Sequence, residues 1–445
     1  MIYIRNGILV NLLGAALRAQ SWSESREIVL KAVGYDLRQS IKFSQNRPPC
    51  TETTETSIHT FCLVSEHILF CVPLRGVAMK LIVCGLGSAG CRIADTLATA
   101  DERGPRSAVV DTVALDTDQG SLADLDSIPE DNRHLYGTLT SSGRGFDGHR
   151  NRGQEAADEE LTELFRAVDD LSTSRGDAFL LCAGLAGGSG ATLLPKLAAE
   201  LREVYGVPIY GVGVLPETDR TDTDNQQRRA ANAGKAIDPV TEATDALFVF
   251  DNALWTKTAQ SAVELEVRTR LNETLATRLL ALFEAGEADR SGRVAESVVD
   301  ASEVINTLSD GRIVALGYAT QEIERPTESR FGLGLFTKAV DLDETTAIKA
   351  IETTVRRAVN GKLTVDVDRG AVQRGLLVTG GPPEWLNRRA IADARSWLAQ
   401  ETGSVEIRGG DIPTPDTDTI VALVVLAGVG DCQRLAELRA AAKSE

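Results

Sequence analysis

The sequence predicts an α/β fold, with a doubly wound parallel sheet followed by a smaller α+β domain. Three observations support this prediction. From Met79 onward, apolar runs of strand length alternate with longer amphipathic stretches. Two of these runs lead directly into glycine-rich turns, and a long helical pattern separates a first group of strands from a second. Several strands are apolar almost throughout, as expected for a parallel sheet covered by helices on both faces.

The two glycine-rich turns predict a binding site for phosphate. GLGSAG (85–90) precedes a predicted helix over Cys91–Thr99, and GLAGGSGAT (184–192) precedes a predicted helix over Leu193–Val204. The N-terminus of a helix offers free backbone N–H groups to an anion, and small residues allow a phosphate to come close. One such turn could equally be only a tight connection. Two in one sheet predict a nucleotide phosphate held from two sides.

The remaining elements follow from hydrophobic periodicity. The strands predicted in the first domain are Lys80–Cys84, Val109–Leu115, Ala178–Cys182, Pro208–Val214 and Ala246–Phe250. A long helix is predicted over Thr256–Ala285, because apolar residues keep to a single stripe. The later strands are Val314–Tyr318, Leu363–Val367, Gly375–Val378, Val405–Ile407 and Ile420–Leu426, with helices over Glu344–Asn360 and Glu384–Gln400. The loop 137–153, with five glycines and three arginines, is long enough to be either functional or disordered.

Residues 1–78 differ in composition from the rest. They carry eight basic and six acidic residues, whereas the whole chain of 445 residues has a formal net charge of -17. Met79 stands directly before the first convincing strand. We therefore expect Met79 to be the natural start and residues 1–78 to be a mis-called extension. A signal peptide over 8–17 is the weaker alternative, because Asn11 interrupts its apolar run.

Composition excludes several classes of function. The strong negative charge argues against a nucleic-acid partner. Only ten of the 47 basic residues are lysine, and an acidic, lysine-poor surface is typical of a salt-tolerant protein. The seven cysteines form no CxxC pair and the four histidines are scattered, so we predict no metal site and no disulfide framework. We expect reduced thiols, a cytoplasmic location and no transmembrane segment.

Several motifs occur in an order that resembles a known family. They are GLGSAG, DTD (116–118), GLAGGSGAT, LFVFDNALW (247–255) and VAESVVDASEVINTLSDG (294–311). This order resembles the tubulin/FtsZ superfamily, and LFVFDNALW and the segment 283–319 are most similar to the archaeal CetZ proteins. The resemblance covers about 79–430 and suggests a haloarchaeal member. It implies a GTPase that binds GTP or GDP with Mg²⁺, polymerises head to tail and controls cell shape or division.

The resemblance also implies roles for individual residues. The diphosphate and part of the base would meet Gly87, Ser88, Ala89, Gly90, Cys91 and Arg92. The terminal phosphates would meet Gly187, Gly188, Ser189 and Gly190. Asn252 would reach the ribose or base, and Asn272 would recognise the guanine edge through its amide. Related tubulin-like proteins are further candidate partners.

Asp300 and Glu303 match the family's catalytic pair. Their spacing of three places both carboxylates on one face of a helical turn. In the family this face meets the nucleotide of the next subunit, where acids can orient water toward the γ-phosphate. The implied division is an extension (1–78), a nucleotide-binding domain (79–255), a central helix with the catalytic loop (256–311), a C-terminal activation domain (312–430) and a tail (431–445).

Some positions depart from the family pattern. Ala186 and Thr192 replace glycines of the phosphate loop, where a Cβ at a positive φ costs on the order of 1 kcal/mol. Arg220 stands where the family has a glutamate near the ribose. These changes leave open a member that does not hydrolyse GTP and modulates the filaments of relatives. A third alternative is an NAD-dependent oxidoreductase, because GLGSAG satisfies GxGxxG and Asp111 or Asp116 could bind a ribose hydroxyl.

Overall fold

A computed structural model describes most of the chain after residue 77. The described residues are 60–65, 68–73, 78–217, 223–256, 264–285, 299, 301–309, 312–324, 344–404, 406–414, 417–430 and 432–444. Within the predicted extension, Thr60–Ser65 (β1) and Ile68–Pro73 (β2) pair as an antiparallel two-stranded sheet. The signal-peptide alternative over 8–17 and Arg220, which stands where the family has a glutamate near the ribose, concern residues outside the described parts.

Ten further strands form one sheet within the described residues. They are β3 (Leu81–Leu86), β4 (Val109–Asp116), β5 (Arg133–Leu135), β6 (Ala178–Gly184), β7 (Ile209–Leu215), β8 (Ala246–Asp251), β9 (Arg312–Glu322), β10 (Arg374–Gly381), β11 (Glu406–Pro413) and β12 (Thr419–Val429). Their order is β11-β10-β12-β9-β8-β7-β6-β3-β4-β5. Neighbours from β5 to β9 run parallel, β12 is antiparallel to β9 and β10, and β11 is parallel to β10. The predicted α/β class is confirmed.

Helices cover both faces of this sheet. They are α1 (Gly87–Arg103), α2 (Gln119–Ala123), α3 (Thr138–Ser141), α4 (Arg150–Asp169), α5 (Gly190–Val204), α6 (Thr223–Ala243), α7 (Asn252–Thr256), α8 (Glu264–Phe283), α9 (Ala301–Leu308), α10 (Glu344–Asn360), α11 (Arg388–Thr402) and α12 (Gln433–Lys443). Along β3, Ile82 and Cys84 pack into one apolar layer with α4, α5 and α6, whereas Leu81 and Val83 pack into another with α1 and α8. The alternating faces make the sheet doubly wound, as predicted.

The central helix α8 has the predicted buried stripe. Leu271, Leu275, Leu279 and Leu282 are all buried. Thr256, its predicted start, is the last residue of α7, and α8 is described from Glu264 onward, so the predicted start stays a prediction. Residues 257–263 between the two helices lie outside the described parts.

The predicted strand Leu363–Val367 is wrong, because these residues form a wedge between two strands. β8 and β9 pair only over their first three residues, after which Thr364 enters between them. The Asp251 N–H donates to the Thr364 carbonyl at 2.8 Å, and the Thr364 N–H donates to the Leu316 carbonyl at 2.9 Å. The Leu316 N–H in turn donates to the Thr364 hydroxyl at 3.0 Å. Thr364 therefore links β8 to β9 by hydrogen bonds beyond their paired residues. The ten-stranded sheet contains strands from both sides of the predicted domain boundary. The division of the chain into domains stays a prediction.

Candidate nucleotide-binding site

The two glycine-rich turns follow neighbouring strands at the point where the order of the sheet reverses. β3 lies beside β6, and the chain continues from β3 toward β4 and β5 but from β6 toward β7 and β8. Because all these strands are parallel, both turns lie at the same edge of the sheet. The carboxyl ends of parallel strands at such a reversal form a crevice that binds ligands in open α/β sheets.

Close backbone packing joins the two turns. Gly87 has φ +67°, and a Cβ there would lie 2.8 Å from the nitrogen of Gly190. A Cβ on Gly190 would lie 2.0 Å from the carbonyl oxygen of Leu86. Only glycine fits at both positions, and the N-termini of α1 and α5 consequently begin side by side. Their aligned peptide dipoles favour a negative charge at this place.

Side-chain hydrogen bonds connect the turns to the end of β4. The Ser88 hydroxyl donates to Asp116 at 2.7 Å, and the Thr117 N–H donates to the other carboxylate oxygen at 2.7 Å. The hydroxyls of Thr117 and Ser189 lie 2.6 Å apart. Burial raises the pKa of Asp116, and the hydrogen bond from Ser88 opposes that rise. Asp116 and Thr117 thus connect both turns to one strand end. The sequence marked both residues as part of the DTD motif, and Asp116 also as a ribose contact in the oxidoreductase alternative.

The glycine-rich loop 137–153 packs against the second turn. A Cβ on Gly153 would lie 2.0 Å from the carbonyl oxygen of Gly188, and one on Gly188 would lie 3.1 Å from that of His149. In this loop Ser142 and Asp147 adopt positive φ, a conformation that is rare for residues with a side chain. The loop is therefore an ordered part of the site.

The two substitutions in the phosphate loop cause no backbone strain. Neither Ala186 nor Thr192 is among the described residues with positive φ. The carbonyl of Ala186 accepts a hydrogen bond from the buried Asn232 side chain at 3.1 Å. The Thr192 hydroxyl donates toward the carbonyls of Gly188 and Ser189, at 2.7 and 2.8 Å. The penalty considered from the sequence is absent, and Thr192 stabilises the loop.

Within the first turn, the predicted contact residues differ in accessibility. Ser88, Ala89 and Arg92 are half-buried. Cys91 is fully buried, and its thiol lies 3.4 Å from the carbonyl of Gly85 as a weak donor. Burial raises the pKa of this thiol well above its usual value. A ligand at this edge could therefore meet Cys91 only through its backbone.

The two asparagines occupy different elements. Asn252 is the first residue of α7, directly after β8, and lies at the same edge of the sheet as the glycine turns. The Asp251 carboxylate accepts from the N–H of Ala253 at 3.1 Å and so fixes the first turn of α7. Asn272 lies on α8, which packs against α1. Both asparagines are half-buried, so each side chain keeps part of its surface for a ligand.

Glu303, the described member of the predicted acidic pair, lies away from this edge. Glu303 is on α9, which ends at Leu308, shortly before β9 begins at Arg312. Arg312 pairs with Ala246, the first residue of β8. α9 therefore lies near the amino ends of the strands, opposite the glycine turns. Asp300 is outside the described residues. Within one chain, Glu303 and the glycine turns are at opposite edges of the sheet.

A cation that sequence reasoning missed lies near Asn252. The Arg434 guanidinium on α12 donates to the Pro216 carbonyl at 2.9 Å and lies 3.4 Å from the Asp251 carboxylate. No local motif marks Arg434, which the sequence placed in a tail.

Within the described residues, no group of three or more His, Cys, Asp or Glu side chains is arranged to hold a metal ion. None of the described helices combines the length and apolarity needed to cross a membrane.

Comparison with known proteins identifies the family. The model for the Tubulin/FtsZ family, GTPase domain, matches residues 80–260, and the model for the tubulin-like CetZ C-terminal domain matches residues 265–444. The chain therefore belongs to the tubulin/FtsZ superfamily and, within it, to the CetZ family. This confirms the resemblance and the tubulin/FtsZ-like fold inferred from the motifs, and it argues against the oxidoreductase alternative.

Relatives from Haloferax volcanii match most of the chain. The tubulin-like protein CetZ5 is 40% identical over 370 residues, which are 82% of this chain and 91% of CetZ5. The GDP-bound monomer of CetZ1 superposes with a TM-score of 0.71 at 32% identity, covering 82% of this chain and 99% of that one. A GTPγS-bound protofilament of CetZ2 gives a TM-score of 0.70 at 31% identity, with coverage of 82% and 98%.

Proposed function

We propose that the chain binds GTP and GDP at the carboxyl ends of β3 and β6. The observation that supports this most directly is the backbone contact between Gly87 and Gly190, which brings two helix N-termini to one place. The phosphates would lie over residues 87–92 and 187–190, with the base toward Asn252 and Asn272. Mg²⁺ would arrive with the nucleotide, because it is commonly held by phosphate oxygens and water.

We further propose that subunits associate head to tail and that hydrolysis is completed at the interface. The supporting observation is that Glu303 and the glycine turns lie at opposite edges of the sheet. Stacking two subunits would bring the acids of one to the nucleotide of the other. Asp300 and Glu303 would then orient the attacking water, while the two turns hold the phosphates in place.

The experiment uses two variants that are inactive for different reasons. Glu303→Gln keeps its own nucleotide site but cannot supply the acid, whereas Gly187→Trp fills the proposed phosphate contact from an exposed position and keeps Glu303. Each variant alone should turn over GTP far more slowly than the wild type, whose rate per subunit should rise with protein concentration. An equal mixture should recover part of the activity, because some interfaces combine an intact nucleotide site with an intact acid. A mixture no faster than either variant would contradict a shared active site.

The second candidate is a member that binds nucleotide, hydrolyses little and modulates the filaments of relatives. The sequence supports it through Ala186 and Thr192, which replace glycines in the phosphate loop, although neither residue strains the loop backbone. A thermal shift in high salt with GTP and GDP, compared with ATP and NAD, tests guanine binding for both candidates. A shift without concentration-dependent turnover would favour the modulator. In either case we place the protein in the cytoplasm, with a role in cell shape or division.

A further inference from the structure

The C-terminal helix α12 is fixed along α6 by close packing. A Cβ on Gly234 would lie 2.0 Å from the carbonyl oxygen of Leu438, so the two helix backbones touch. Leu435 and Leu438 are buried. Arg439 forms an ion pair with Asp238 of α6 at 2.7 Å. Helix α12 is therefore an integral part of the α6 side of the molecule.

One side chain at the start of α12 connects the ends of two strands. The Arg434 side chain is 18% exposed and that of Asp251 is 8% exposed. The Arg434 Nη2 donates to the Pro216 carbonyl at 2.9 Å, directly after β7, and its Nε lies 3.4 Å from the Asp251 carboxylate, at the end of β8. A mostly buried carboxylate requires a cation or several donors, and Arg434 supplies the cation.

Both strand ends lead into the proposed site. Asn252 immediately follows Asp251, and the second oxygen of Asp251 accepts the N–H of Ala253. Pro216 directly follows β7, whose last residue, Leu215, pairs with Asp251 at the same edge of the sheet. We propose that Arg434 is a positioning residue for the ribose and base side of the nucleotide, which it supports by holding Asp251 and the end of β7 in place. This inference rests on the proposed function.

The chain contains a matched control. Arg439 lies five residues further along α12 and also forms an ion pair, but with Asp238 of α6 and not with Asp251 at the end of β8. Arg434→Ala and Arg439→Ala each remove one charged contact of α12. A role of Arg434 in helix docking alone predicts similar effects of the two changes. A positioning role predicts an effect on the nucleotide only for Arg434→Ala.

The experiment measures the GDP dissociation constant of the full chain in high salt by calorimetry. Arg434→Ala should weaken GDP binding about tenfold, equivalent to about 1.4 kcal/mol, and Arg439→Ala less than twofold. Arg434→Lys should give an intermediate loss, because lysine restores the charge but not the forked donors. It also serves as the test variant if the alanine variant does not fold. Amide hydrogen exchange without nucleotide should be faster at 251–256 in Arg434→Ala and unchanged there in Arg439→Ala.

The outcomes separate this inference from the proposed function. A wild-type chain that binds no guanine nucleotide overturns the proposed function and, with it, the nucleotide role of Arg434. Wild-type binding that Arg434→Ala leaves intact, or that both alanine variants weaken equally, overturns the role of Arg434 alone. Weaker binding only in the Arg434 variants, with faster exchange at 251–256, supports the inference.

Discussion

The contact between the two glycine turns gives a sharp test of the site. In Gly190→Ala, the new Cβ would lie 2.0 Å from the carbonyl oxygen of Leu86, whereas ordinary contacts begin at 3.4 Å. The turns would have to separate by roughly 1.4 Å, the difference between these two distances. Because the new Cβ is fixed to the backbone of residue 190 and meets a backbone oxygen, the clash cannot be relieved by moving a flexible side chain. The same change in Gly187→Ala meets only the Gly184 carbonyl at 3.4 Å.

The expected magnitudes follow from this geometry. Overpacking typically costs about 1–3 kcal/mol, and replacing glycine restores up to about 1 kcal/mol through the unfolded chain. We therefore expect Gly190→Ala to lower the free energy of unfolding by about 1–2 kcal/mol and to abolish tight GDP binding. Gly187→Ala should leave the unfolding free energy within about 0.5 kcal/mol but weaken GDP binding, because Gly187 is exposed at the proposed phosphate contact.

Urea unfolding without nucleotide and GDP titration of the same samples separate the two effects. Gly206→Ala is the matched control, because nothing lies within 4 Å of its new Cβ. It should bind GDP like the wild type. A Gly190→Ala chain with wild-type stability and affinity would refute the argument that the turns depend on this contact. Unchanged affinity in Gly187→Ala would place the phosphates elsewhere.

Three further predictions concern single side chains. Burial raises the pKa of Asp116 above its unfolded value, so its ionisation opposes folding. Asp116→Asn should therefore stabilise the protein at neutral pH. Urea titrations should show this gain disappearing as the pH falls through the folded-state pKa toward about 4. Leu139 is 93% exposed in the loop that packs against the second glycine turn, so Leu139→Asp should keep the melting temperature but reduce GTP-dependent sedimentation if this loop meets the next subunit. The buried Arg278 guanidinium lies 4.8 Å from the centre of the Trp255 ring. Urea unfolding should show the unfolding free energy falling by about 2–3 kcal/mol in Arg278→Ala but by under about 1 kcal/mol in Arg278→Met, which keeps the packing of the stem. Equal losses in the two variants would assign the effect to the charge.

Local signals explain what the sequence could predict. The strands before the two turns are short apolar runs next to glycines, so their type and position follow from neighbouring residues alone. The helix Glu344–Asn360 was predicted with the bounds that the structure shows, because its apolar period is regular. From the sequence, the relation between Gly87 and Gly190 could be predicted only in general form, as two turns that hold one ligand. Its backbone packing required the pairing of β3 with β6.

Other parts of the site depend on residues that are distant in sequence, and local pattern cannot reveal them. Leu363, Val365 and Val367 alternate like a strand, yet Thr364 fills the gap where β8 and β9 separate. Alternation reports only which side chains are buried, and a wedge buries them as a strand does. Arg434 lies 183 positions after Asp251. The sequence shows two ordinary charged residues, and only the docking of α12 on α6 brings them together. The contact that holds the end of β8 beside Asn252 thus depends on α12, whereas the glycine turns proposed to hold the phosphates are marked by local sequence.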